Sequence, residues 1–347
     1  MKRFLLVFLT VAFIAAPGFA QTDLQPVAIV RLTRSEPITV KQLKGEVEKM
    51  EKQAGRPLTA AEREQVLDVM INEKLAIQAA ERDKITVSDN ELNQQIQQLK
   101  TAMAQSLGRQ PTDAQFAEAV RSETGLDMPA FREQIRRQYL VQKYLMSKKQ
   151  NVLESAKAPT ENEIITFFND NKAQFVRPET VRISMIRVPF GDNAAAKTRA
   201  RDLANKLIQE IGSNAAKFDD AVMKGRTPGS GYESGSTYLP RTPQAQQTLG
   251  QEPINVAFGL KQGEISRLVE SPQGYLILKV TETYEMKFLN LDDLVEPGST
   301  VTVKNYINQG LIQQQQQEVI DRAQKELVAE LRTGRSFEVL DKNLLKW

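Results

Sequence analysis

The feature that most constrains this chain is a change of hydrophobic period near residue 180. Before it, apolar residues recur every three to four positions. After it, VRISMIRVPF (181–190) is β-branched and roughly alternating. A period near 3.6 builds helices and a period of 2 builds strands. The chain therefore reads as a helical half followed by a mixed one. Four capping boxes, each a Ser or Thr followed three residues later by Glu or Gln, open helices at Thr39/Gln42, Thr59/Glu62, Ser88/Glu91 and Thr160/Glu163.

The helical half begins after one short strand, VAIVRL (27–32). Leu67, Met70, Ile71 and Leu75 give the second helix an apolar face. Residues 104–126 are polar and punctuated by Gly108, Pro111 and Gly125, which predicts loops around one short helix. Asp127 can cap the next long helix, with Pro129 in its first turn. There Phe131, Ile135 and Tyr139 step by four, and Leu140, Val141, Tyr144 and Leu145 widen the face. Methionines 50, 70, 103, 128 and 146 lie in this half and suit either a core or an adaptable apolar surface.

In the mixed half, helices are expected to end at Gly212 and Gly225, followed by a Gly/Ser-rich loop, TPGSGYESGS. TYL, EISRLVES and GYLILKVTE read as strands. The order β-α-α-β-α-β-β makes a compact α+β domain of ordinary size. EPGST (296–300) is a turn. The chain is helical again from Thr302 to Thr333, with Gly334 just past its end. Ile320, Ala323, Leu327 and Leu331 form its apolar stripe, which the Gln313–Gln317 run interrupts as a solvated stretch. FEVL (337–340) suits a short closing strand. Such a helix needs a packing partner, and the N-terminal helical half is the expected one.

Composition narrows the chemistry. The 347 residues are 41% hydrophobic and 26% charged, with no cysteine and no histidine. Disulfides, thiolate nucleophiles, cysteine-ligated zinc and a Ser-His-Asp triad are excluded. Lys2 and Arg3 precede a 13-residue apolar run, Phe4 to Ala16, and Gly18 and Ala20 stand where a cleavage site wants small residues. This predicts a cleaved signal peptide over 1–20, a mature chain from Gln21 and a periplasmic or secreted location. Removing Lys2 and Arg3 lowers the net charge from +3 to +1, no footprint for nucleic acid. The adjacent pairs Asp219–Asp220 and Asp292–Asp293 match no metal loop. The Gly229–Gly235 loop lacks the Lys-Ser/Thr ending of a phosphate loop. No cofactor, metal or nucleotide is expected.

Several stretches resemble the SurA and PrsA type of envelope foldases, which carry parvulin domains. In the helical half these are VAIV, QVLDVMINEKLAIQAAERDKITVSDNEL and FREQIRRQYLVQKYL. ENEIITFFNDNKAQFVRPETVRI resembles the stretch leading into the family's parvulin domain. AFGLKQGEIS followed by VESPQGYLILKV resembles its last helix and hairpin, and the C-terminal helix with SFEVL resembles the segment that completes the chaperone domain. The resemblance implies an α+β chain of four parts. These are a signal peptide (1–20), a helical chaperone domain (21–175), a parvulin-like domain (176–285), and a linker with a C-terminal helix packing on the chaperone domain (286–347).

Parvulins carry one histidine on the first strand, where this chain has Met185, and another on the last strand, where Leu276 follows Gly274 and Tyr275. The pocket's methionine and phenylalanine positions, counted back from Phe258, hold Leu249 and Pro253, while Phe258 itself fits. The acidic or cysteine position has no counterpart after Gly225. Met185, Leu249, Phe258 and Leu276 are thus candidate substrate-binding positions of a degenerate pocket, with no catalytic residue assigned. Either they pack as core, or an apolar groove remains that holds extended or proline-containing chain. Prolyl isomerisation breaks no bond and lowers a torsional barrier of about 18–20 kcal/mol, so losing the histidines does not strictly forbid it. The resemblance implies an ATP-independent periplasmic chaperone for unfolded exported proteins, outer-membrane β-barrel proteins in particular. An active prolyl isomerase, or a non-catalytic assembly partner with one defined client, are the alternatives.

Overall fold

The computed structural model describes residues 23–340, so the expected signal peptide lies outside the described residues. The chain divides into two compact units. One runs to Ala156 and resumes at Gln315; the other is Lys157–Gln314. Residues 157–175 and 286–314 group with the second unit.

The first unit is built on helices α1 (Val40–Ala54), α2 (Ala60–Arg82), α3 (Asp89–Leu107), α4 (Asp113–Thr124) and α5 (Met128–Leu153). The capping boxes at Thr39, Thr59 and Ser88 form with both reciprocal bonds. A further one, Thr112/Gln115, opens α4. Gly108 and Gly125 are left-handed C-caps with φ of 67° and 71°. The polar stretch 104–126 is therefore largely helical: its glycines end two helices, and the interval between them is short.

The long helix α5 serves two cores. Phe131 is buried with Leu92, Ile96, Phe116 and Val120, and Ile135 and Tyr139 pack against them. Tyr144 and Leu145 are buried with Leu67, Ile71 and Leu75 of α2. The same core takes Ala323, Leu327 and Leu331 from the far end of helix α11 (Val303–Leu331).

A three-stranded sheet lies on this core. Strand β1 (Pro26–Val30) is central, between β2 (Glu36–Thr39) and β9 (Phe337–Val339), and both pairings are antiparallel. Strand β2 escapes sequence reading because of Pro37, but on an edge the missing N–H breaks no ladder. Gln78, fully buried on α2, fastens the β1–β2 turn: its Oε1 accepts from the Leu32 and Thr33 amides at 3.1 and 3.0 Å.

The second unit centres on a four-stranded antiparallel sheet in the order β5-β4-β7-β6. These strands are β4 (Thr180–Pro189), β5 (Glu233–Pro240), β6 (Val269–Ser271) and β7 (Gly274–Tyr284). Short β3 (Val176–Arg177) and β8 (Lys287–Phe288) pair beside it. Helices α7 (Ala194–Ile211) and α8 (Ala215–Gly225) cover one face, packing on Ile186, Val188, Tyr275 and Ile277. On the other face α10 (Gln251–Gly259) packs Ile254 and Ala257 on Val181, Ile183, Leu276, Leu278 and Val280. Alternation along β4 and β7 supplies both faces. Strand β5 begins at Glu233, inside the stretch that reads as a Gly/Ser loop, because pairing with β4 overrides weak local propensity. Helix α6 (Glu161–Asp170) and the first half of α11 form a smaller core with Ile164, Phe168, Leu289, Val303 and Ile307.

Candidate functional site

In the first unit an open apolar groove of about 830 Å³ runs between α2, α5 and the second half of α11. Its floor includes Ala76, Val141, Leu145, Leu327 and Leu331. Val69, Met146 and Ile320, three large apolar side chains lining it, are 64%, 56% and 36% exposed. These side chains leave apolar surface along the groove open to contact from outside. Much of the rim is amide: Gln138, Gln142, Gln316 and Gln324 are exposed, and Glu73 is the charged residue among the lining side chains. Amides donate and accept hydrogen bonds without selecting for charge, which suits backbone of varied sequence.

The groove walls are fixed by polar ties. Arg332 donates to the Asn72 and Asp68 side chains at 2.7 and 2.6 Å, anchoring the end of α11 on α2. Lys149 donates to Glu330 at 2.6 Å and Glu326 at 3.2 Å. It is buried where α5 departs from helical geometry (φ −121°, ψ 24°). The bond to Glu330, with Glu326 beside it, raises the Lys149 ammonium above the ordinary lysine range. At the α2 C-terminus Arg82 and Lys148 hold the Asp83 carboxyl down at about 2.

Met185, Leu249, Phe258 and Leu276 converge on one core in the second unit. Leu276 is 2% exposed within it, and the other three are partly buried against it. Met185 stands opposite Leu278, and Leu276 opposite Arg187, in the β4–β7 ladder. Leu249 ends helix α9 (Pro243–Leu249); Pro253 is buried in α10. The Arg241 guanidinium lies over the Phe258 ring at 4.9 Å. The four positions share one face of the sheet, and the two that hold histidine in parvulins are here thioether and hydrocarbon.

One residue of each acidic pair weighed from sequence is tied to a lysine. Asp219 pairs with Lys279, and Asp293 accepts from the Asn290 amide at 2.8 Å and from Lys287 at 2.5 Å. Among the methionines of the helical half, 50 and 146 are exposed, and 70, 103 and 128 pack against cores. Val69 is among the groove residues that sequence reading passes over. It lies off the Leu67–Ile71–Leu75 face, and nothing in its neighbours marks it as part of a cleft. Ile320 reads as stripe and Gln316 as solvated run; both line the groove.

Residues 1–145 match the family model of the SurA-like N-terminal domain, and residues 159–294 match that of the PPIC-type PPIase domain. The chain is a SurA/PrsA-type foldase with a parvulin domain. A foldase PrsA of Clostridium botulinum is 25% identical over 301 residues, which are 86% of this chain and 79% of the relative. A chaperone SurA of Alcanivorax borkumensis is 29% identical over 291 residues, 81% of this chain and 63% of the relative. A structure from work on the SurA-like chaperones PEB4 and Cj1289 of Campylobacter jejuni aligns with 91% of this chain and 99% of its own. Its TM-score is 0.40 and its identity 16%. The SurA/PrsA assignment agrees with the α+β architecture, a helical unit completed by the far end of α11 and a parvulin-type sheet. Among the described residues, no helix is long and apolar enough to cross a membrane.

Proposed function

We propose that this SurA/PrsA-type protein is an ATP-independent periplasmic chaperone that holds unfolded exported polypeptides, outer-membrane β-barrel proteins among them. The observation that carries the reading is the groove of the first unit, with Val69, Met146 and Ile320 exposed along it and amides on its rim. Apolar contact gives weak, sequence-tolerant binding. Flexible side chains such as Met146 let the surface repack around different clients. The names of the relatives, foldase and chaperone, support the same reading. In this proposal the parvulin domain binds or spaces chain and does not catalyse, because the positions that carry histidine in parvulins hold Met185 and Leu276.

The test uses the chain from Gln21, added in equimolar amount to an unfolded outer-membrane barrel diluted from urea without ATP. Light scattering is followed, with an unrelated aggregating protein run in parallel. Suppression of both is expected. The Val69→Glu/Met146→Glu double variant should fold, since both side chains are exposed, and should lose most of the suppression. Unchanged scattering with the parent chain, or full suppression by the variant, would refute the groove. Suppression of the barrel alone would point to an assembly partner.

A further inference from the structure

On the α8-covered face of the sheet, the strand register brings three polar side chains into one transverse row. Ser184 of β4 is opposite Ser236 of β5 on one side and Lys279 of β7 on the other. Such a face is expected to be apolar, and Ile186 and Ile277 beside the row are. Ser184 is only 7% exposed, its hydroxyl makes no hydrogen bond among the described residues, and that hydroxyl is not sealed from solvent. Its hydroxyl is therefore free to bind whatever enters from solvent. Ser184 lines an opening of about 420 Å³, shared with Arg182, Asp219, Arg226, Ser236 and Lys279.

The charges in this opening are unbalanced. Lys279, 9% exposed, pairs with Asp219 and lies 5.1 Å from the centroid of the buried Phe218 ring. Arg182 donates to Glu282 at 2.6 Å. Arg226, exposed at the end of α8, has no side-chain partner among the described residues. Three cations and one carboxylate, Asp219, line the opening; counting Glu282, which pairs with Arg182 from outside the lining, one positive charge is left over. The end of α8 is held over the row by Tyr232, whose hydroxyl donates to the Ala221 carbonyl at 3.1 Å, and by Ser234, whose hydroxyl donates to the Val222 carbonyl. Gly225 makes the close approach possible: a Cβ there would lie 2.8 Å from Ser234 and Tyr232.

We propose that this opening is an anion site that captures the terminal carboxylate of a polypeptide chain. One surplus positive charge suits a carboxylate better than a phosphate, which carries nearly two negative charges at neutral pH. Ser184 and Ser236 supply hydroxyl donors, and Arg226 a planar guanidinium that can bind carboxylate through two N–H groups. A chain end is the carboxylate source that also brings backbone to pair. Strand β5 is a sheet edge, and its Ser236 and Thr237 are exposed beside the opening. An extended segment can add to such an edge and deliver its terminus to the row. The incoming carboxylate competes with Asp219 for Lys279. The site lies within the second unit and does not depend on the groove.

The test is fluorescence anisotropy on the chain from Gln21, with a short dye-labelled peptide of valine and threonine, carrying either a free or an amidated C-terminus. A charge-assisted contact set of this size predicts that the free acid binds about tenfold tighter than the amide. Arg226→Ala and Ser184→Ala should each remove most of that preference, and Asp219→Asn should strengthen binding of the acid. Arg226 is exposed, so its variant keeps the fold. Thermal midpoints check Ser184→Ala. Equal binding of acid and amide, or an unchanged preference in Arg226→Ala, would overturn the site. Displacement by acetate as effective as by unlabelled acid peptide, or tighter binding of inorganic phosphate, would overturn the chain-end assignment. Peptides without aromatic residues leave the groove reading to the scattering assay.

Discussion

Leu276 and Met185 show how much of a pocket's character rests on single side chains. Both lie on a face shared with Val181, Ile183 and Leu278, where hydrocarbon satisfies the packing and a neutral polar group would need a partner. No ionisable side chain at either position can polarise a prolyl amide. On the proposed reading, cis–trans isomerisation of a short proline peptide, followed by NMR exchange, stays at the uncatalysed rate; a rate enhancement above about a hundredfold would restore the enzyme reading. Residue chemistry also sets the acid response. Lys143 and the Ser88 cap hold the Glu91 carboxyl down at about 2. In the unfolded chain it titrates in the ordinary glutamate range. The unfolded state therefore binds the proton first as pH falls. This contribution to stability is present above that range and is lost on acidification toward about 2. The thermal midpoint of Glu91→Gln is expected to vary less with pH between 5 and 3 than that of the parent chain.

At the scale of elements, capping chemistry was largely legible. Thr39, Thr59, Ser88 and Thr160 start helices as their spacing implies, and Asp127 caps α5. The fifth box, at Thr112, was obscured by Pro111 and two glycines that read as loop. Gly310 is a different case. It lies inside α11, and a Cβ there would meet no atom within 4 Å. Glycine in a helix interior costs about 1 kcal/mol relative to alanine. Gly310→Ala should therefore raise stability by about that amount in urea unfolding, with an unchanged dependence on denaturant. A fall in stability would mean that the backbone at Gly310 is not ordinary helix in solution. The Gln313–Gln317 run, which interrupts the stripe in the sequence, does not interrupt the helix. Glutamine is a good helix former, and the apolar residues on either side of it serve different cores.

At the scale of the molecule, the first unit is closed by residues remote in sequence. Ala323, Leu327 and Leu331 fill its core, and β9 pairs with β1. Losing a buried leucine costs about 2–5 kcal/mol, and whole domains are stable by only about 5–15 kcal/mol. A chain ending at Gln314 is thus expected to lose the cooperative unfolding transition of the first unit. It should retain that of the second, whose residues, 157–314, are contiguous. Two transitions surviving truncation, by circular dichroism, would show that the C-terminal segment is dispensable.

By itself the sequence determined the helices and their caps, the switch to strand period near residue 180, and the absence of histidine and cysteine chemistry. These are local properties, written in spacing and residue type. Met185, Leu249, Phe258 and Leu276 were singled out through the resemblance to parvulins, and in the structure they meet at one core. What tertiary structure alone decided is which surfaces stay open. Val69 became a groove wall because α11 packs beside α2 and α5. Ser184 came to line an opening because the strand register set it between Ser236 and Lys279. Both depend on contacts between residues far apart in the chain, and no local pattern specifies where such distant surfaces meet.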